Sequence, residues 1–369
     1  MPPLACAEPD AGRRCALRQQ PASLRTRFDR VVTTIGAAAL ALACVGTPIA
    51  AAGARVERPK PVRVVAPERF VVGVGAQAAP IPLFASDTGS PARHDVVRVV
   101  IVVHGLNRNA SGYFDAAMKA RDTAGPDAAR TLVLAPQFLA TDDIAAHRLP
   151  ATLLHWPWNR WASGEPASGP LPISPFEVLD ELLRQFADPA AFPALKQVVV
   201  AGHSAGGQLV QRYAVVGHGD EVLTRRGVAV RYVVANPSSY LYFGAERPFK
   251  VPAPCPARDR WRYGLAGGVP RYVTLDATAL EQRYVRRDVV YLLGEADTDP
   301  NHPALDRSCA ALAQGPERHA RGLAYFATLQ ARDGASLRHR VVEVPGIGHD
   351  GERLFTSEAA VRVLFREQN

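Results

Sequence analysis

Ser204 stands at the centre of Gly202-His203-Ser204-Ala205-Gly206, preceded by "QVVVA" and followed by "GQLVQRYAVV". A β-branched run that stops at small residues and passes at once into helical spacing reads as strand, sharp turn, helix. That is the setting in which G-x-S-x-G carries chemistry. So tight a turn forces the serine backbone into a strained conformation, and a Cβ at Gly202 or Gly206 would collide with the adjoining strand and helix. The hydroxyl is thereby presented above the strand end, beside the positive end of the next helix, where a nucleophile is useful.

A serine hydroxyl is inert at neutral pH unless a base takes its proton, and the base needs an acid to orient it. Ten histidines are available, so position decides. His349 ends "VVEVPGIGHD", a loop leaving the last strand-like run, and is the expected base. The run before it, "VVYLLGEADTDP", offers Glu295, Asp297 and Asp299. Asp297 is the expected acid, because Gly294-Glu295-Ala296 lets the chain turn off the strand first; Asp299 is second. The resulting order Ser, Asp, His is one known for this kind of turn. Acyl transfer also needs donors for an oxyanion. The amide of Ala205 supplies one, and "VVIVVHGLNRNA" supplies the other through Leu106, with Asn107 as alternative. His104 in that loop is expected to pack or orient it rather than act as a base.

These residues need a frame. Strand-length runs ("RFVVGVGA", "VVRVVIVVHG", "TLVLAPQF", "QVVVAGHS", "VRYVVANPSS", "DVVYLLGEAD", "HRVVEVPGIGHD") alternate with segments of helical spacing. Continuous Val/Ile/Leu runs indicate strands buried on both faces, hence one doubly wound, mostly parallel α/β sheet covered by helices. Two Pro- and Gly-rich insertions, around 147–174 and 244–277, interrupt the alternation after strand ends and are expected to wall or cap a pocket. The first carries Trp156, Trp158 and Trp161, either a platform for rings or a buried cluster. Asn107, Trp156, Trp158 and Tyr240, the last in Asn236-Pro237-Ser238-Ser239-Tyr240, are the candidate substrate-binding residues.

On His104-Gly105, the Gly202–Gly206 turn, Asp297 and His349, the chain from about Val97 onward resembles a serine hydrolase of the α/β-hydrolase superfamily, of the secreted esterase and depolymerase kind. The resemblance implies a mostly parallel sheet of eight strands and hydrolysis through an acyl-enzyme. "HGLN" departs from the "HGGG" of many lipases, which speaks against bulky triglycerides. The expected substrate is a small or polymeric ester. Amide cleavage by the same residues is the alternative, and a binding protein on this fold is a third reading, although no member of the Ser-His-Asp set is missing.

Other classes are disfavoured. The net charge of +8 is spread over scattered arginines without a basic, aromatic-interleaved cluster, so no nucleic-acid partner is expected. "GIGHDG" lacks a following βαβ unit, and neither a P-loop nor H-E-x-x-H occurs, so no cofactor and no metal are expected. Arg25, Arg27 and Arg30 precede an apolar stretch ending in small residues, which reads residues 1–52 as an export signal. The expected location is periplasmic or secreted without stable membrane insertion; a lipid anchor through Cys44 or a membrane-spanning helix are the alternatives. Residues 53–67 read as a linker and 68–369 as the folded domain. Export leaves Cys255 and Cys309 as an even pair in an oxidising compartment, expected to form a disulfide.

Overall fold

The computed structural model describes residues 60–87 and 92–366. The expected export segment, with Cys44, and residues 53–59 lie outside them. Among the described residues eight strands form one sheet: β1 Glu68–Val72, β2 Ala79–Ala85, β3 Arg98–Val103, β4 Thr131–Pro136, β5 Gln197–His203, β6 Ala229–Ala235, β7 Asp288–Gly294 and β8 His339–Val344. Their order is β1-β2-β4-β3-β5-β6-β7-β8. β3 to β8 run parallel, while β2 pairs antiparallel with both β1 and β4. β2, "APIPLFA", is absent from the strand-like runs in the sequence because Pro80 and Pro82 break the pattern.

Among the described residues ten α-helices accompany them: α1 Ala110–Asp122, α2 Thr141–Ala146, α3 Pro175–Gln185, α4 Ala205–Val216, α5 Glu221–Thr224, α6 Ala277–Tyr284, α7 Cys309–Leu312, α8 Arg318–Asp333, α9 Gly351–Phe355 and α10 Glu358–Val361. Local chemistry sets several ends. Ser174 caps α3 and Glu177 returns a bond to the Ser174 amide, with Pro175 at the first helical position, the arrangement that satisfies otherwise orphaned N–H groups. Alternation along the strands splits the core in two. On one face Val99, Ile101, Val103, Val198, Val200, Val234 and Leu293 pack with residues of α3, α4, α6 and α8. On the other, Val100, Val102, Val199, Ala201, Val233 and Leu292 pack with α1 and the C-terminal helices.

Residues 60–67 are not a free linker. The amides of Val62 and Ala66 donate to Asp143 Oδ1 and Gln137 Oε1 at 2.9 and 2.8 Å, and Val62 and Ala66 are buried. The anchor is a buried fork in which Arg108 Nε and Nη2 reach Asp143 at 2.6 and 3.0 Å, while Nη2 also donates to the Lys60 carbonyl. Its charge and Pro content suggested exposure, but a buried carboxylate needs donors and this segment's backbone provides one. Among the described residues no helix is long and apolar enough to cross a membrane.

The two insertions join each other and the sheet's helical layer. Trp261 Nε1 donates to the Ser163 carbonyl at 2.8 Å, and Arg212 of α4 donates to the carbonyls of Ala162 and Arg262. Cys255 and Cys309 are bonded with Cα atoms 5.8 Å apart, which ties the second insertion to α7.

Candidate active site

The turn after β5 gives Ser204 φ 59° and ψ −117°. A positive φ at a non-glycine residue is strained and persists only where surroundings enforce it. Here the Ser204 amide donates to the Ala235 carbonyl of β6 at 2.9 Å, and the Gln208 amide donates back to the Ser204 carbonyl. A Cβ on Gly202 would lie 2.4 Å from the Gly206 carbonyl oxygen, and one on Gly206 would lie 2.4 Å from that of Val103. Both neighbours are backbone and cannot yield, so glycine is required at each.

Two loops from adjacent strand ends bring the partners. The amides of Glu295 and Ala296 donate to the carbonyls of Val344 and Ile347, and a Cβ on Gly294 would strike the Ile347 carbonyl at 2.4 Å. Clasped in this way, the loops place His349 Nδ1 at 2.7 Å from Asp297 Oδ2 and His349 Nε2 at 3.0 Å from Ser204 Oγ. With Nδ1–H donating to the carboxylate, Nε2 is the free acceptor facing the hydroxyl. Burial lowers the His349 pKa below its ordinary value, the Asp297 bond works against this, and the Arg318 charge lowers it further. Asp299 and Glu295 are exposed, and Asp299 Oδ1 instead accepts from the Asn301 amide at 2.8 Å.

Gly105 lies against Ser204, since a Cβ there would sit 3.7 Å from the Ser204 Cβ. Leu106 and Asn107 follow, half-buried and exposed respectively, and Ala205 opens α4 directly after Ser204. His104 is fully buried. It accepts from the Phe138 amide at Nε2 and bonds the Gly105 carbonyl through Nδ1, both at 2.9 Å, and burial pushes its pKa down to about 4. It is a neutral brace for the loop.

The aromatic candidates separate. Trp156 is fully buried, edge-on to Phe138, and its Nε1 donates to the Glu165 carbonyl. Trp161, also buried, stacks on Phe138 and meets His104 edge-on at 4.6 Å. Tyr240 is fully buried and stacks on Tyr325 at 4.6 Å. Trp156 and Tyr240, expected at the substrate, lie instead within the core; indole and phenol rings carry enough apolar area to be drawn into it. Trp158 is half-buried, and among the described residues no hydrogen bond or ring contact joins it to Ser204 or His349. Asn236 has φ 41° and accepts from the Gly294 amide at 3.0 Å, which clamps the end of β6 to that of β7.

Four neighbours were not singled out in the sequence. The His203 ring lies 4.6 Å from that of His349 and bonds Tyr113 Oη through Nδ1 at 2.9 Å; burial holds its pKa well below the ordinary value. The His302 ring lies 4.9 Å from His349, near-perpendicular. Arg318 stands behind Asp297, with Nη1 to Oδ1 at 3.5 Å. Only His203 had a signal, its place inside the glycine-flanked motif.

A parallel six-strand core with the strained Ser204 turn after β5, the Asp297 loop after β7 and the His349 loop after β8 fits the α/β-hydrolase fold. The sequence matches no protein-family model and no curated protein. Among solved structures it is similar to the LpqC poly(3-hydroxybutyrate) depolymerase of Bordetella parapertussis, at 24% identity over 80% of this chain and 89% of that one, TM-score 0.55. It is also similar to poly(aspartic acid) hydrolase-1 of Sphingomonas sp. KT-1, at 22% identity over 80% of this chain and 97% of that one, TM-score 0.54.

Proposed function

We propose that this protein is an exported serine hydrolase that cleaves carboxylic esters through an acyl-enzyme. The observation that carries the reading is the line from Asp297 Oδ2 through His349 to Ser204 Oγ, with spans of 2.7 and 3.0 Å. Ser204 Oγ bonds the acyl carbon as its proton passes to His349 Nε2. The carbonyl π pair moves to oxygen, where the amides of Ala205 and Leu106 receive the charge. Collapse breaks the bond to the leaving alkoxide, which takes the proton from Nε2. Water then repeats the sequence on the acyl-Ser204 ester and releases the acid. Asp297 orients the imidazole and stabilises its cation.

The fold likeness to a polyester depolymerase supports an ester, small or polymeric, and leaves Asn107 and Trp158 as the proposed substrate contacts. Amide cleavage is the second reading, favoured by the likeness to a poly(aspartic acid) hydrolase; the same residues serve both, and only the leaving group differs. The Cys255–Cys309 bond supports export, because disulfides persist in oxidising compartments.

Purified protein assayed on p-nitrophenyl esters and the matching p-nitroanilides tests the reading. Ester turnover should exceed anilide turnover, and Ser204→Ala should abolish both. Wild-type ester turnover by Ser204→Ala would refute the nucleophile; faster anilide turnover would leave the nucleophile and move the substrate class to amides.

A further inference from the structure

Arg318 takes no part in the proton transfers above, yet three residues from two loops of the site converge on it. It is the first residue of α8 and is fully buried. Its Nη1 reaches Asp297 Oδ1 at 3.5 Å, Nη2 meets His302 Nδ1 at 3.4 Å, and Nε reaches Ser238 Oγ at 3.3 Å. Asp297 and His302 leave the end of β7, and Ser238 leaves the end of β6. The two oxygens of Asp297 are thus divided, Oδ2 to His349 and Oδ1 to Arg318. A buried cation is costly to maintain, and among the described residues the carboxylate paired with it at hydrogen-bond range is Asp297, the acid of the site.

We propose that Arg318 is a positioning residue that turns Asp297 Oδ2 toward His349 and, by its fixed charge, keeps the His349 imidazole unprotonated and able to act as a base under mildly acidic conditions. The proposal rests on the assignment of Ser204, His349 and Asp297 given above. His349 is faced by Asp297 and His302 from the loop after β7, and by His203 of β5 with Tyr113 of α1 behind it. Asp350 caps α9 beside it, and α8 contributes Arg318 and His319, the latter bonded to Glu343 of β8. His203 and His302 both have lowered pKa values, chiefly through burial. Arg318 also loses part of its charge preference to burial, which brings it down to about 10 with Asp297 opposing the fall. It nevertheless stays protonated throughout the range in which His349 titrates, so it is the permanent cation set against the imidazolium.

The sign follows. Removing a cation beside an imidazole favours the protonated form, so the pKa of His349 rises and activity is lost at higher pH than before. The test is the rate of phosphonylation by a fluorophosphonate against pH, with the adduct mapped by peptide mass spectrometry, alongside kcat/KM on a p-nitrophenyl ester. In the wild type the acidic limb should lie below pH 6.5, the ordinary histidine value. Arg318→Met should move that limb upward by about one unit, the scale of a charge one carboxylate away. Arg318→Lys, which keeps the charge but loses the fork, should leave the limb in place while kcat falls.

A limb unmoved in Arg318→Met, or moved equally in Arg318→Lys, overturns the proposal. A wild-type limb above pH 6.5 does so without any variant having to fold. Failure of the wild-type protein to label at Ser204 would overturn the assignment of the site itself, and the Arg318 proposal with it.

Discussion

Asp297 and Asp299 are two residues apart, and their surroundings give them different tasks. Asp297 is buried between His349 and Arg318, whereas Asp299 is exposed and closes its own turn onto the Asn301 amide. Asp297→Asn keeps the shape but offers the imidazole a poorer partner, so kcat should fall on the order of ten-thousandfold. Asp299→Asn should stay within about threefold of wild type, as surface changes generally do. Steady-state kinetics on one ester substrate checks both, and a severe loss in Asp299→Asn alone would move the acid. His349→Ala should cost about as much as Ser204→Ala, and the double variant little more, because neither acts without the other.

At the scale of elements, the strand–turn–helix around Ser204 was legible because every constraint on it is local: a β-branched run, two glycines beside backbone carbonyls, and a helix starting at once. The strand-end positions of Asp297 and His349 were legible for a related reason, since parallel strands must deliver their following loops to the same edge of the sheet. Arg318 was not, because it reaches Asp297 from the first turn of a helix and nothing in its own neighbourhood signals that partner. Trp156 and Tyr240 misled because a loop-like sequence does not show which aromatics fold under it. Residues 60–67 misled in the opposite sense, through the buried Asp143 that recruits them. Asp143→Asn would strip the charge from a fully buried pair and leave Arg108 uncompensated, which should cost about 3–5 kcal/mol in urea unfolding. Burial would raise the Asp143 pKa, but the Arg108 fork and the amides of Val62 and Ala140 outweigh it and hold the value below the ordinary one. A depressed carboxylate adds stability above its unfolded pKa, near 4, and loses it as pH falls through the lower folded value. The wild type should therefore lose stability below about pH 4 more steeply than Asp143→Asn; parallel acid profiles of the two would contradict the role given to this pair.

At the scale of the whole molecule, the 54-residue separation between Cys255 and Cys309 encloses β7, α6 and the acid loop. Closing such a loop contributes about 4 kcal/mol in the chain-entropy model. Replacing both cysteines by Ala should lower the thermal midpoint while leaving ester turnover at room temperature close to wild type; an unchanged midpoint would remove the bond from the account of stability. N-terminal sequencing of exported protein should find a start near Gly53 or Arg55, and a lipidated Cys44 would support anchoring instead. Ser204 combines a strained turn with a histidine at 3.0 Å that is itself held by the buried Asp297 carboxylate. The most direct measurement is therefore the intact mass and peptide map of the wild-type protein after treatment with a fluorophosphonate. Formation of one Oγ–P bond with loss of fluoride at Ser204, and no adduct in Ser204→Ala or His349→Ala, is the predicted result; an adduct on another residue, or an unmodified Ser204 in folded protein, would contradict it.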